Sequence, residues 1–246
     1  MISIWVGWDA REEIAYQVCK KSIERRTSQP VYIRPLRQNA LRYVGLYARG
    51  SHLDDGVLVD DIDGKPYSTE FAFTRFLVPA LQQYEGWAIF CDCDFLFRRD
   101  IAELWDLRDD RYAVMVVKHA HHPRDDVKMD GAKQEKYPRK NWSSLILWNC
   151  GHDLNKDYLS VDYVNKSSGQ RLHGFHWVLD ETHIGSLPHG WNFLEGRECA
   201  GCSPLEDRDI KAVHYTRGGP WFEGWQNVEY AADWEEERRN LAWIRP

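Results

Sequence analysis

A short apolar run that ends in alternating acids constrains this chain more than any other feature. Residues 87–94 read WAIFCDCD, follow Gly86 and run directly into Asp92 and Asp94. Such a run favours a buried strand of a parallel sheet, and ligands of open α/β sheets bind at the carboxyl ends of their strands. On a regular strand the two carboxylates share a face and can reach one hard divalent cation. The segment indicates a metal-dependent transferase acting on a nucleotide-activated substrate.

The Asp-x-Asp spacing alone carries little weight, because it occurs three times in the chain. Asp61 and Asp63 precede Gly64 in a segment typical of a turn, and residues 207–209 are typical of solvated charge. Only the middle pair stands at the end of an apolar strand.

Length and charge narrow the class of protein. The 246 residues suit one large α/β domain or two small ones, and we expect a single domain over 1–246. The net charge is −6 with both signs interspersed, which argues against nucleic acid as a partner. No apolar stretch predicts a transmembrane segment, and residues 1–6 read as a strand rather than a signal peptide, so we expect a cytoplasmic protein.

Cysteine and histidine give no second metal site. Cys199 and Cys202 have the spacing of half a zinc site, but no further close pair follows. For His119, His121 and His122 we favour a polar loop over a metal site.

The opening of the chain predicts a β-α-β unit. Residues 2–8 are strand-like, 11–26 are typical of a helix with Asp9 as its N-cap, and 31–36 form a second strand. The Gly-x-Gly-x-x-Gly fingerprint is absent, which disfavours a dinucleotide oxidoreductase.

The rest of the chain predicts further elements around the acidic strand. We expect a polar, turn-rich cover over 39–65, a helix over 71–84, a helix over 100–107, helical segments within 155–179 and a closing helix in the acidic tail. We expect strands over 112–117, 144–148 and 210–215, and a long loop over 118–140 of the kind that is either functional or mobile.

Several motifs appear in a fixed order along most of the chain. They are Gly7-Trp8-Asp9 with Arg11, residues 74–79 (TRFLVP), 89–94, 100–104 (DIAEL) and 143–149, then Leu187-Pro188 with Trp191-Asn192, and Val213-His214-Tyr215 with Pro220-Trp221. In this order they resemble the family 8 type retaining glycosyltransferases of the GT-A fold, a group that includes glycogenin and bacterial lipopolysaccharide galactosyltransferases. The chain departs from that family at Trp142-Ser143-Ser144, where Asn-Ala-Gly or Asn-Ser-Gly is usual, and at Gly219, where a phosphate-binding lysine is usual. It resembles a divergent member.

The resemblance implies a GT-A (Rossmann-like) fold, with a mixed central sheet flanked by helices. It implies metal-dependent transfer of a sugar, with retention, from a UDP-sugar to a glycan, lipid or protein acceptor. The implied cofactor is Mn²⁺, or Mg²⁺. The implied residues are Asp92, Asp94 and His214 for the metal; Gly7, Trp8, Asp9, Arg11, Arg75 and Cys93 for the nucleotide; Arg217, Gly218 and Gly219 for the phosphates; Ser143 and Asp180 for the donor sugar; and Asp180 for catalysis.

Two alternatives stay open. A sugar-1-phosphate nucleotidyltransferase shares the α/β layer and the metal carboxylates, but normally opens with a glycine-rich basic loop that residues 7–11 do not provide. A non-catalytic glycan-binding relative of this fold would show the same motifs.

Overall fold

The computed structural model describes residues 1–119, 139, 141–196 and 205–241. Cys199, Cys202, His121, His122 and most of the 118–140 loop lie outside these residues. The strands are β1 (Ile2–Gly7), β2 (Val31–Leu36), β3 (Ser51–Asp54), β4 (Val57–Asp60), β5 (Pro66–Tyr67), β6 (Trp87–Cys91), β7 (Phe95–Phe97), β8 (Val114–Val116), β9 (Leu145–Asn149), β10 (Ile184–Ser186), β11 (Phe193–Leu194) and β12 (Ala212–His214). The helices are α1 (Glu13–Glu24), α2 (Gln38–Tyr43), α3 (Val78–Leu81), α4 (Ile101–Trp105), α5 (Asp153–Tyr158), α6 (Val161–Lys166), α7 (Gly169–His173) and α8 (Ala231–Leu241).

The central sheet of the described residues has six strands in the order β10-β8-β9-β6-β1-β2. Strand β9 runs antiparallel to its neighbours β6 and β8, and the other five strands run parallel to one another. The carboxyl ends of these five strands and the start of β9 therefore meet at one edge, which we call the carboxyl edge. This mixed α/β architecture confirms the fold class expected from the sequence.

The acidic strand lies in the middle of that sheet, as its composition predicts. Residues 88–91 of β6 are fully buried, and both faces of β9 are buried as well. Such continuous burial explains why these strands are uniformly apolar rather than alternating. Residues 92–94 do not extend β6, however, but form a turn that leads into β7.

The predicted β-α-β opening is confirmed. Asp9 caps a 3₁₀ turn over Ala10–Glu12 by accepting from the Arg11 backbone N–H, and α1 follows directly. The buried face of α1 includes Tyr16, Val18 and Ile23. Strand β2 then pairs in parallel with β1.

Two expectations for the next segment are wrong. The helix predicted over 71–84 is reduced to a 3₁₀ turn over Thr74–Leu77 and the short α3. Pro79 lies in the first turn of α3, where its missing N–H costs nothing, but it cannot continue a helix begun earlier. Residues 39–65 are not simply turns, because they contribute to α2 and to the small antiparallel sheet β3-β4-β5.

A buried ion pair attaches this small sheet to the body of the protein. Arg49 and Asp60 are both buried and make a bidentate contact with N–O distances of 3.0 and 2.6 Å. The Arg49 guanidinium also donates to the carbonyl oxygens of Val164 and Ser167 at α6.

A second layer carries the end of the chain to the carboxyl edge. The sheet β11-β12-β7 contains the last predicted strand, and its β12 ends at His214. Val213 and Tyr215 pack with Val18 of α1 and Trp234 of α8 in a separate apolar cluster. The described helices are all too short or too polar to cross a membrane.

Candidate metal centre

Two chain segments far apart in sequence bring three metal-ligating side chains together at the carboxyl edge. Asp92 and Asp94 lie in the turn after β6, and His214 ends β12. One ligand atom from each of these residues lies within 4.8 Å of the others. The backbone holds them in place, because the Tyr215 N–H donates to the Asp94 carbonyl at 3.0 Å and the Asp92 N–H donates to the Ser144 carbonyl at 2.9 Å.

The orientation of the His214 ring is determined on two sides. The ring stacks on Phe95 with centroids 4.3 Å apart, and its Nδ1 lies 2.9 Å from Asn192 Oδ1. The Asn192 amide nitrogen donates to Ser144 Oγ and to the Asn141 carbonyl, so the amide oxygen is the atom that faces His214. Nδ1 therefore carries the proton, and Nε2 is directed toward Asp94.

A divalent cation fits this arrangement. Asp94 Oδ1 is buried and makes no hydrogen bond within the described ranges, and His214 Nε2 lies 3.3 Å from it. A neutral imidazole lone pair facing a carboxylate oxygen is unfavourable unless a proton or a cation lies between them. Two carboxylates and one imidazole suit Mn²⁺, which accepts oxygen and nitrogen ligands. Burial raises the pKa of Asp94, but the positive charge that His214 carries when protonated, together with Arg75, outweighs this effect and holds the pKa below its usual range.

Arg75 holds the acidic turn in place through contacts on its buried side. The side chain is buried, and its Nη1 lies 2.8 Å from Asp92 Oδ1 and 2.8 Å from the Ser143 carbonyl oxygen. Its Nε donates to the carbonyl oxygens of Phe71 and Ala72. The structure thus places Arg75 beside the metal centre, where it fixes Asp92 relative to the start of β9.

Ser143 reaches the same edge and has a partner that the sequence did not suggest. Its Oγ lies 2.7 Å from His173 Nδ1, and the His173 ring packs edge-on against Phe76. Ser143 is itself buried. The pair joins the start of β9 to the end of α7, within one strand of the acidic turn.

The predicted nucleotide residues form a tight loop after β1. The buried Asp9 carboxylate accepts from the Arg11 guanidinium and from the Glu70 backbone N–H, so it organises the loop. Trp8 lies under the Arg37 guanidinium, 3.9 Å from the ring centroid. A Cβ at Gly7 would come within 2.6 Å of the Phe71 ring, so only glycine fits there.

For the remaining predicted residues, the described part of the structure gives their surroundings but no contact with the metal-ligating side chains. The Cys93 side chain is buried, and burial, followed by Glu12 and Asp94, raises the pKa of its thiol. Arg217 lies 3.3 Å from the Glu195 carboxylate, so part of its charge is already compensated. Gly218, with φ of 133°, follows it in the turn beyond β12.

Asp180 is not brought to this group. Its side chain is exposed and accepts from the Thr182 backbone N–H, capping the 3₁₀ turn that precedes β10. Because β10 runs parallel to β6, the strand that follows Asp180 begins at the opposite edge of the sheet from Asp92.

Sequence reasoning missed two features of the site. Glu12 is half-buried beside the metal centre, and burial, then Asp94 and Asp9, raise its pKa to about 8. His119, expected in a polar loop, is buried at 6% exposure and its ring contacts that of His189. The available signals were an acidic residue near the start of a helix, for Glu12, and a histidine after a strand, for His119. Neither signal identifies the residues that the side chain contacts.

A curated relative decides the family. Protein CDI of Arabidopsis thaliana is 51% identical to this chain over 238 residues, which cover 95% of this chain and 85% of that protein. This chain belongs to the Protein CDI family. No protein-family profile matches its sequence.

Several solved structures have the same fold as this member of the Protein CDI family. The galactosyltransferase LgtC, in complex with donor and acceptor sugar analogs, has a TM-score of 0.61 at 16% identity, over 99% of this chain and 98% of LgtC. The apo bifunctional glycosyltransferase WbbM has a TM-score of 0.62 at 15% identity over 97% of this chain, which spans 50% of the length of WbbM. GlyE of Streptococcus pneumoniae has a TM-score of 0.56 at 17% identity, over 97% of this chain and 61% of GlyE. The chain thus has the GT-A fold of glycosyltransferases.

Proposed function

We propose that this protein is a metal-dependent glycosyltransferase that moves a sugar from a UDP-sugar to an acceptor, with retention of configuration, and that it is a divergent relative of family 8. The observation that carries the proposal is the convergence of Asp92, Asp94 and His214 within 4.8 Å at the carboxyl edge. The GT-A fold supports it, because this edge is where nucleotide ligands bind in open α/β sheets.

The three side chains would hold Mn²⁺, or Mg²⁺. The bound ion would act as a Lewis acid that neutralises charge developing on the diphosphate leaving group. Arg75 holds Asp92 in position, and Asn192 keeps His214 Nε2 turned toward the ion.

The nucleotide would extend from the metal toward β1, and the sugar away from it. The loop of Gly7, Trp8, Asp9 and Arg11 follows β1, which lies between β2 and β6 in the central sheet. Arg217 and the Gly218-Gly219 backbone are the groups available to the diphosphate from the other sheet. Ser143, at the start of β9, is proposed to contact the donor sugar.

Several finer points are part of the proposal. The acceptor is a glycan, lipid or protein, the domain is single over 1–246, and the location is cytoplasmic. The exposed, helix-capping position of Asp180 gives no support to a catalytic role, and we do not assign one to it.

The test is a screen of UDP-sugars for slow hydrolysis, with and without Mn²⁺. We expect release of UDP that requires Mn²⁺ and stops in chelator. Calorimetry should show UDP binding more tightly than ADP or GDP if the loop after β1 surrounds a pyrimidine. Full activity in chelator would contradict the proposed role of the metal. Equal affinities for the three diphosphates would contradict the proposed preference for a uridine nucleotide.

Two other functions are distinguished by the same screen. A sugar-1-phosphate nucleotidyltransferase would release pyrophosphate from a nucleoside triphosphate and a sugar phosphate. A glycan-binding relative would bind sugars without turnover. Among the described residues, no specific contact favours either function over sugar transfer.

A further inference from the structure

Two histidines outside the metal centre meet at the carboxyl edge. His119 follows β8 and His189 follows β10, and these strands are neighbours at one side of the central sheet. Their rings lie edge to face, with centroids 5.0 Å apart and planes at 79°. His119 is 6% exposed, and His189 is half-buried.

The ring nitrogens of this histidine pair lack well-formed hydrogen bonds to the described part of the chain. Within the described residues, no ring nitrogen of His119 or His189 makes a hydrogen bond of normal geometry, although the Asn192 amide approaches His119, and all four atoms are screened from water. Buried polar groups are almost always hydrogen-bonded, so four such atoms in one place need an explanation. A ligand that supplies donors and acceptors here would provide one.

The charge state of the pair indicates what kind of ligand. Burial, then the neighbouring His189 and His214, lowers the pKa of His119 to about 3, and burial lowers the pKa of His189. Asn192 opposes the shift of His119 only in part. Both imidazoles are therefore neutral, and each offers one N–H donor and one lone-pair acceptor.

A metal ion would leave half of these groups unsatisfied. It would bind one lone pair on each ring and leave both buried N–H groups without an acceptor. Within the described chain, the residues grouped closely enough to hold a metal are Asp92, Asp94 and His214. A hydroxyl both donates and accepts, so neighbouring hydroxyls on one molecule match the pair on every nitrogen.

The order of the strands indicates which hydroxyls these are. Along the carboxyl edge, the loop after β1 comes first, the metal centre after β6 is next, then Ser143 at the start of β9, and finally β8 and β10. Neighbouring strands lie about 4.8 Å apart, so the end of β8 lies roughly 10 Å from the end of β6, with β9 between them. In the proposed complex the donor sugar would lie over β9, and the position beyond it would face the histidine pair.

We propose that His119 and His189 form a subsite that binds hydroxyl groups of a carbohydrate acceptor. The lone pair of one ring accepts from the reacting or a neighbouring hydroxyl, and an N–H donates to the next hydroxyl along the sugar ring. This inference rests on the proposed function, because the bound sugar is an acceptor only if the protein transfers a sugar to it. Binding of a sugar by the pair can nevertheless be measured without turnover.

The test records two-bond ¹H–¹⁵N correlations of the imidazoles in ¹⁵N-histidine-labelled full-length protein, with UDP and Mg²⁺. The probes are the methyl pyranosides of glucose, galactose, mannose and xylose. The variants are His119→Phe and His189→Phe, with His189→Asn as a milder substitution. His183→Phe is the matched control, because His183 also packs edge-on against a histidine, His152, with centroids 5.4 Å apart, but before β10 at the opposite edge.

We expect at least one pyranoside to shift the signals of both His119 and His189. His189→Phe should weaken binding of that pyranoside at least tenfold, while affinity for UDP and for Mn²⁺ stays within twofold. His183→Phe should change none of these quantities.

The proposal is overturned if no pyranoside shifts the NMR signals of either histidine. It is also overturned if His189→Phe and His189→Asn lower the affinity for UDP or Mn²⁺ as much as they lower the affinity for the sugar. If neither UDP nor Mn²⁺ binds but a pyranoside still shifts both rings, the carbohydrate subsite is upheld and the transferase function fails instead.

Discussion

His214 donates its Nδ1–H to Asn192 Oδ1 across 2.9 Å, and this contact determines which ring nitrogen faces Asp94. A histidine that binds a metal commonly donates its other N–H to a carbonyl or carboxylate, which fixes both tautomer and ring orientation. Asn192 comes from the turn before β11 and is bonded in turn to Ser144 at the start of β9. The candidate metal centre is therefore held by hydrogen bonds that join both of its sheets.

The first prediction concerns Asn192. Asn192→Ala should lower Mn²⁺ affinity by about 10- to 100-fold, because His214 loses its tautomer-setting partner. Electron paramagnetic resonance of free Mn²⁺ measures this without a substrate. Asn155→Ala is the matched control, since Asn155 is equally buried and hydrogen-bonded but lies at the opposite edge. It should lower stability and leave Mn²⁺ affinity unchanged; an equal loss of affinity in both variants would assign Asn192 a purely structural role.

The second prediction concerns the acidic turn. Asp94→Asn should abolish measurable Mn²⁺ binding and hydrolysis of a UDP-sugar, since it removes the charge of a central ligand while keeping the side chain's size. Asp209→Asn, in an exposed segment with the same Asp-x-Asp spacing, should leave both at wild-type level. Chelation of the wild type should reproduce the Asp94→Asn result. Metal binding that survives in Asp94→Asn would contradict the proposed ligand set.

The third prediction concerns Glu12 and pH. Its pKa is raised from 4.5 to about 8, by burial first and then by Asp94 and Asp9. Between these values the folded state binds more protons than the unfolded state, so the free energy of unfolding should fall as pH rises through this window. Glu12→Gln removes that contribution, so the variant should gain stability over the wild type as pH increases.

Urea unfolding of the metal-free protein at pH 5.5, 7.0 and 8.5 measures this difference. Glu24→Gln, at the exposed end of α1, is the control and should show a constant offset across the three values. If the Glu12→Gln offset is also constant, Glu12 does not titrate in this window.

The fourth prediction concerns the buried Arg49–Asp60 pair. Arg49→Met should lower the free energy of unfolding by about 3–5 kcal/mol, because it leaves a buried carboxylate uncompensated and frees two carbonyl groups at α6. The exposed pair Lys166–Asp162 provides the control, and Lys166→Met should cost no more than about 1 kcal/mol. Chemical denaturation measures both. Similar losses in the two variants would show that the buried pair does not anchor the small sheet.

Local sequence was sufficient where an element's own composition determines its environment. Strand β6 is buried on both faces and is apolar throughout, so the run before Asp92 identifies it without knowledge of its neighbours. Strands β1 and β2, with α1 between them, follow from their hydrophobic pattern in the same way, and Asp9 caps the turn before α1. The acidic pair after β6 was recognisable for the same reason.

Tertiary structure decided what depends on contacts between distant residues. No local pattern shows that Asp92 and Asp94 lie in a turn rather than on a strand, or that Glu12 lies beside them. Nor does one show that residues 39–65 contribute to a small sheet that the buried Arg49 attaches to α6. The partners of a polar side chain set its energy, and those partners come from the order of strands in the sheet. By itself the sequence determined the buried strands β1, β6 and β9 and the acids that follow β6; packing alone decided which side chains share the carboxyl edge.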